Sequence, residues 1–212
     1  MKKFVPQQGE HSGRLVIPAN HSYDKPGGPH YGKFGFGAHL LISDNHGETW
    51  RRSEPIRPEM NESQVVELSD GNGTLVMNMR SYHDEHSRGR ATSTDGGATW
   101  TPVTHDHQLV ESRCQASIFH YGPYNGKQLV LFSSPAVPVG RTHMTIRVSV
   151  DNAQSWSYAT LIHEGPSAYS SLARLPNGEV GLFFEAGDES PYETMRFISI
   201  PVSELLPESF NN

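Results

Sequence analysis

Ser93-Thr94-Asp95-Gly96-Gly97-Ala98-Thr99-Trp100 is the stretch on which the fold turns. The same eight-residue segment recurs as Ser43-Asp44-Asn45-His46-Gly47-Glu48-Thr49-Trp50 and as Ser149-Val150-Asp151-Asn152-Ala153-Gln154-Ser155-Trp156, and together the copies hold all three tryptophans of the chain. Steps of 50 and 56 residues between tryptophans fit a repeated supersecondary unit, because periods of roughly 40–50 residues belong to propellers and related arrays. The central copy satisfies Ser-x-Asp-x-Gly-x-Thr-Trp in full. Asn45 replaces the aspartate in the first copy, and Ala153 and Ser155 replace glycine and threonine in the third. A short polar side chain between Ser and Gly bonds to nearby amides and favours a tight turn. The Trp is expected to bury its ring beside that turn and pin a β-hairpin. The unit is a folding element and carries no chemistry of its own.

Outward from these turns, short alternating or apolar runs recur without a helical period. Residues 13–18, 38–43, 63–68, 74–80, 90–94, 115–121, 127–133, 143–150, 170–174, 179–185 and 195–200 read as strands. Hairpin turns are expected at Ser69-Asp70-Gly71-Asn72-Gly73 and Pro176-Asn177-Gly178, and only Val202–Leu206 hints at a helical turn. The fold class is therefore all-β, a β-propeller. Eleven strands at four per blade make about three blades, short of the 4–8 that close a ring. No linker or low-complexity tract interrupts 1–212, which reads as one unit. Open sheet edges leave two expectations: the chain is truncated, or another copy completes the ring by self-association.

Apolar residues make up 35% of the chain and mean hydropathy is -0.55, the balance of a soluble protein. No run approaches the ~18 apolar residues of a membrane span. A net charge of -6 argues against nucleic acid as the main partner. Cys114 is the single cysteine and reads as a small buried hydrophobe. Met1-Lys2-Lys3-Phe4-Val5-Pro6 lacks the apolar stretch of a signal peptide.

A second set of segments is not required by the repeats: Asn61-Glu62-Ser63-Gln64, Val76-Met77-Asn78-Met79-Arg80, Cys114-Gln115-Ala116-Ser117, Met144-Thr145-Ile146-Arg147, Ser167-Ala168-Tyr169-Ser170 and Phe184-Glu185-Ala186. In this order, from about Gly13 to Ile200, they resemble the C-terminal half of an exo-α-sialidase (neuraminidase), and the eight-residue repeats resemble that family's Asp-box. The resemblance implies a six-bladed propeller acting on terminal sialic acids of sialylated glycans. It gives Tyr169 the part of nucleophile and Glu62 that of the base taking its proton. Arg80 and Arg147 match the second and third arginines of the triad that grips the sialic acid carboxylate. Glu185 matches the acid that orients the first arginine, and Gln115 lies in a segment at the pocket wall.

The residue chemistry agrees with these parts. A sialoside carries a carboxylate on its anomeric carbon, so a neutral phenol approaches without the repulsion a carboxylate nucleophile would meet, a departure from the two-carboxylate scheme. A phenol needs a base within reach, and guanidinium forks match a carboxylate in a way lysine cannot. The chemistry calls for no metal and no cofactor. Strand alternation puts Met144, Ile146 and Val148 on one face and Arg147 on the other; Arg80 likewise leaves the face of Leu75, Met77 and Met79.

Other features take plainer readings. Arg141, Arg88, Arg90 and Arg113 read as solvated cations. His83-Asp84-Glu85-His86 and His105-Asp106-His107 read as hairpin loops without metal-ligand spacing. Asn20-His21-Ser22, Asn61-Glu62-Ser63 and Asn72-Gly73-Thr74 are formal glycosylation sequons, and a glycan on Asn61 would obstruct the site.

The family's first triad arginine and its acid/base aspartate have no match upstream of Glu62, so this chain alone is expected to show little or no sialidase activity. A sialic-acid-binding or interaction module without catalysis, and a trans-sialidase, stand beside the hydrolase reading.

Overall fold

The computed structural model describes residues 4–28 and 32–210, with backbone alone at 25–28 and 32–33. The Met1-Lys2-Lys3 start lies outside the described residues. The chain folds as two compact units, Met1–His107 and Gln108–Asn212.

In the first unit, β1 (Leu15–Gly28), β2 (Gly32–Ser43) and the two-residue β3 (Arg51–Arg52) form one antiparallel sheet. A second sheet runs in sequence order through β4 (Met60–Glu67), β5 (Leu75–Ser81), β6 (Ser87–Ser93) and β7 (Thr104–Val110). Val16, Leu40, Ile42, Met60, Leu75, Met77 and Met79 pack as one core between them. The second unit holds β8 (Ser117–Tyr124), β9 (Lys127–Pro135), β10 (Thr142–Ser149), β11 (Tyr158–Arg174), β12 (Val180–Ala186) and β13 (Thr194–Ile200), hydrogen-bonded in that order. Its core gathers Leu131, Met144, Ile146, Val148, Leu182 and Phe184. Both expected hairpin turns are present, and Val202–Leu205 forms a single 3-10 turn.

Every expected strand occurs, and two more join them. β7 has only Leu109 buried. As the last strand of its sheet it can be polar, so it lacks the alternation that betrays a strand. His105-Asp106-His107 therefore lies in a strand, a correction to the loop reading; His83-Asp84-Glu85-His86 does form the β5–β6 loop. β11 begins twelve residues before the expected 170. Gly165-Pro166 marks a switch: residues up to Pro166 pair with β10, and those from Ser167 on pair with β12.

The Trp turns are hydrogen-bonded as their composition dictates. The Asp95 carboxylate accepts from the amides of Ala98 (2.9 Å) and Thr99 (3.0 Å) and the hydroxyls of Thr99 (2.6 Å) and Ser93 (2.7 Å). Asp151 and Asn45 repeat the amide contact to the residue four ahead. Gly97 has φ +88°, and a Cβ there would stand 2.4 Å from Leu40 Cδ1, so side chains are excluded on both grounds. Trp156 is buried at 8% exposure, but Trp50 is 41% exposed, so burial of the ring is not a rule of the motif. Trp50 is held instead by its indole N–H, which donates to the Gly47 carbonyl at 3.0 Å.

Burial alone would raise the Asp95 carboxyl, but hydrogen bonds from Thr99, Ser93 and Ala98 outweigh it and bring it down to about 2. A depressed folded-state value contributes stability above the ordinary range, near 3.8, that is lost as pH falls through about 2. Asp95→Asn should therefore be less stable than the parent at pH 6, with the gap closing between about pH 4 and 2. A gap that stays constant in acid unfolding followed by circular dichroism would refute this linkage.

Candidate active site

In the first unit, the β4–β5 ladder pairs Met60 with Ser81 and then Ser63 with Met79. One extra residue sits on β4, and this bulge turns Glu62 toward β5. The Glu62 carboxylate meets Arg80 Nη1 at 2.7 Å, with the arginine side chain 11% exposed. Arg80 also lies over the ring of Tyr82, 4.8 Å from its centroid. Asn61, the other bulge residue, is buried and accepts from Asn20 Nδ2 at 2.6 Å. A side chain so placed cannot carry a glycan.

In the second unit, Tyr169 is half-buried on β11, and its backbone N–H donates to Glu185 Oε2 at 3.0 Å. Gln115 faces the next residue: its amide oxygen accepts from Ser170 N (2.9 Å) and its amide nitrogen donates to Ser170 O (3.0 Å). Glu185 and Gln115 thus clamp the backbone on both sides of the Tyr169 side chain. The Gln115 amide is committed to this backbone.

The guanidinium that faces Tyr169 belongs to Arg141. Its Cζ lies 5.6 Å from the Tyr169 ring centroid and 5.9 Å from that of Tyr192. Nη1 donates to Tyr192 Oη at 2.7 Å, Nη2 to the Arg113 carbonyl at 3.3 Å, and the Arg141 carbonyl accepts from Ser167 N at 2.8 Å. The solvated reading of Arg141 is corrected by these contacts. Arg147 lies elsewhere, opposite Phe132 and Ala159 in the ladder. Six residues of strand, about 20 Å, separate it from Arg141. Its face also carries buried Thr145 and Ser149. Alternation identified the core face of β10 correctly, with Met144, Ile146 and Val148 in the core. Arg147 stands two residues before Ser149, which opens a Trp turn. Arg80 is at the other end of its strand, since Leu75, not Arg80, pairs with Ser93.

Arg88, also read as solvated, is only 1% exposed, with Nε donating to Asn78 Oδ1 at 2.8 Å. Cys114 is buried as expected. His83 and His105 stack edge-on, ring centroids 5.3 Å apart. Among the described residues no three His, Cys, Asp or Glu side chains converge to hold a metal, and no helix is long and apolar enough to cross a membrane.

These features can be set beside known proteins. The BNR repeat-like domain matches residues 3–182. A sialidase of Micromonospora viridifaciens is 35% identical over 84% of the chain and 27% of its own length. Sialidase-3 of Mus musculus is 26% identical over 92% of the chain and 57% of its own length. The intramolecular trans-sialidase of Ruminococcus gnavus, solved with oseltamivir carboxylate, superposes with a TM-score of 0.75 at 25% identity, covering 97% of this chain and 44% of that one. The leech intramolecular trans-sialidase, solved with 2,7-anhydro-Neu5Ac, gives 0.74 at 27% identity over 96% and 31%. The chain spans between 27% and 31% of the length of the bacterial and leech curated relatives.

Proposed function

From membership of the sialidase family built on BNR repeats, to which this chain belongs, we propose that it carries part of an exo-α-sialidase site, one that releases terminal sialic acid from sialoglycoconjugates with retention, Tyr169 acting as nucleophile. The observation that supports this most is the Arg141 guanidinium over the Tyr169 ring at 5.6 Å, while Glu185 holds the tyrosine's backbone. A fixed cation beside a phenol favours negative charge developing on its oxygen, and an electrostatic aid already in place costs no reorganisation during reaction.

In this reading Arg141, not Arg147, takes the third place in the carboxylate grip, and Arg80 takes the second. Glu62 is the proton acceptor. Arg80 Nη1 holds its carboxyl group in place at 2.7 Å. Gln115 and Glu185 act as positioning residues, keeping β11 fixed on either side of the phenol.

Within these 212 residues nothing matches the first arginine or the acid/base aspartate. General acid–base assistance is worth about 10²–10⁴-fold. The purified chain should therefore turn over an aryl sialoside at no more than a background rate, in which case it serves as a sialic-acid-binding module or as part of a larger catalyst. Turnover at the level of a complete sialidase would refute that. If such turnover occurred, Tyr169→Phe should abolish it, and the product would separate hydrolysis from the trans-sialidase reading: free sialic acid against a newly sialylated acceptor glycan.

The proposal extends to a partner. β13 ends its sheet, and Phe183, Met195 and Phe197 (45–59% exposed) share its outer face. A second copy docking on this edge should make the mass in sedimentation equilibrium rise with concentration. A constant monomer mass would exclude it.

A further inference from the structure

The β1–β2 hairpin carries a side-chain relay that the proposed chemistry does not use. His21 on β1 and His39 on β2 place their Nδ1 atoms 3.0 Å apart. On its other side, His21 Nε2 lies 3.1 Å from Arg57 Nε and 2.7 Å from Arg57 Nη2. Arg57 in turn lies over the ring of Tyr23, 4.0 Å from its centroid. The fold makes room for this meeting. Gly37 pairs with His21 across the ladder, and a Cβ at Gly37 would stand 2.7 Å from His21 Cε1 and 2.9 Å from Arg57 Cγ.

Hydrogen-bond logic assigns every proton in the relay. A guanidinium can only donate, so His21 Nε2 must be a bare acceptor, and the proton of the neutral ring sits on Nδ1. That proton is donated to His39 Nδ1, which must also be bare, leaving His39 protonated on Nε2. The whole chain is satisfied only when both rings are neutral. A proton added to His21 must enter at Nε2, against two guanidinium N–H groups. A proton added to His39 must enter at Nδ1, against the N–H of His21. Either event breaks a link.

We propose that His21, His39 and Arg57 form a proton-operated latch, closed at neutral pH and opened by acid, between the β1–β2 hairpin and the segment leading into β4. That segment is tied to β2 where Ser53 N donates to the Leu40 carbonyl at 2.9 Å and, nearer Arg57, where Ala38 and Ile56 exchange both backbone hydrogen bonds at 3.0 and 2.8 Å. Arg57 is the next residue along. The charged groups acting on the two rings are Arg57 and Arg52, both cations. Burial first pushes both imidazoles below their ordinary range; Arg57 and then Arg52 add to it at His21, and the His21 ring, then Arg52 and Arg57, add to it at His39. The sign follows directly. With folded values below the unfolded 6.5, the latch contributes fully above that pH and loses its contribution as pH falls below it.

The latch also bears on the candidate active site. Asn20, adjacent to His21, donates to Asn61 in the bulge that aims Glu62. Opening therefore removes a support from Glu62, a consequence that rests on the sialidase reading; the latch itself does not.

The test uses the 212-residue chain and needs no turnover. Long-range proton–nitrogen NMR at pH 7.5, with His21→Phe and His39→Gln variants to assign the signals, should show His21 protonated on Nδ1 and His39 on Nε2. Hydrogen exchange at the Ala38 and Ile56 amides, corrected for intrinsic rates, should accelerate at least tenfold between pH 7.5 and 5 in the parent chain. In His21→Phe it should be fast at both pH values. His21 protonated on Nε2 at pH 7.5 would overturn the latch. So would parent exchange that does not change with pH, or a variant that keeps the parent's acid response.

Discussion

Arg141→Ala is expected to weaken binding of free sialic acid to this chain by on the order of 10²-fold, whereas Arg147→Ala leaves it within about twofold. Truncating one partner of a close, hydrogen-bonded charge pair typically costs about 2–5 kcal/mol, and 1.4 kcal/mol is tenfold. In the proposed complex the sialic acid carboxylate supplies the other member of such a pair to Arg141. Its guanidinium is oriented by Tyr192 Oη and the Arg113 carbonyl, and it faces the Tyr169 ring. Arg147 sits at the Trp-turn end of β10, opposite Phe132 and Ala159. Arg141→Lys should restore only part of the affinity, because an ammonium keeps the charge but not the planar fork. Tyr192→Phe separates loop support from direct contact, since it removes one hydrogen bond while leaving the cation in place. Titration calorimetry or ligand-observed NMR reads all four variants. An equal loss at positions 141 and 147 would rule out the assignment.

Phe132→Ala should produce the largest loss of stability, about 3–5 kcal/mol for a buried Phe truncated to Ala. The ring is fully buried on β9, pairs with Ile118 across the ladder, and packs at 56° against Trp156 with centroids 5.7 Å apart. It therefore couples the third Trp turn to the sheet that presents it. Domain stabilities are only about 5–15 kcal/mol, so this one change removes a large share. At about 2–4 °C per kcal/mol for chains of this size, the melting temperature should drop by on the order of 10 °C. Phe197→Ala is the matched control. That ring is 59% exposed, and surface changes of this kind stay within about 0.5 kcal/mol. Comparable losses at the two positions would show that Phe132 is not a core residue.

Parts of the site were legible in the residues and parts were not, for identifiable reasons. Tyr169, Glu62 and Arg80 stood in segments whose order matched a known family, and the structure joins Glu62 to Arg80 through a bulge. No alternation pattern announces a bulge, because the extra residue is set by the register of two strands. Gln115 and Glu185 were legible as neighbours of the site, but their bonds to the Ser170 and Tyr169 backbone depend on segments far apart in sequence. Arg141 was passed over because it follows Pro138-Val139-Gly140, which reads as loop. A loop before β10 is nonetheless the point nearest β11 at Pro166, since the two strands run antiparallel.

The repeated turns, the strands between them and the all-β class follow from the sequence alone, since they depend on contacts within a few residues: a carboxylate capping amides three and four positions on, and side chains alternating at a period of two. Which arginine meets the tyrosine, which arginine is buried against Asn78 and which histidines meet across the β1–β2 hairpin were decided only by tertiary structure. Those outcomes depend on strand register and on which strand ends come together, and neither is written in any local run of residues.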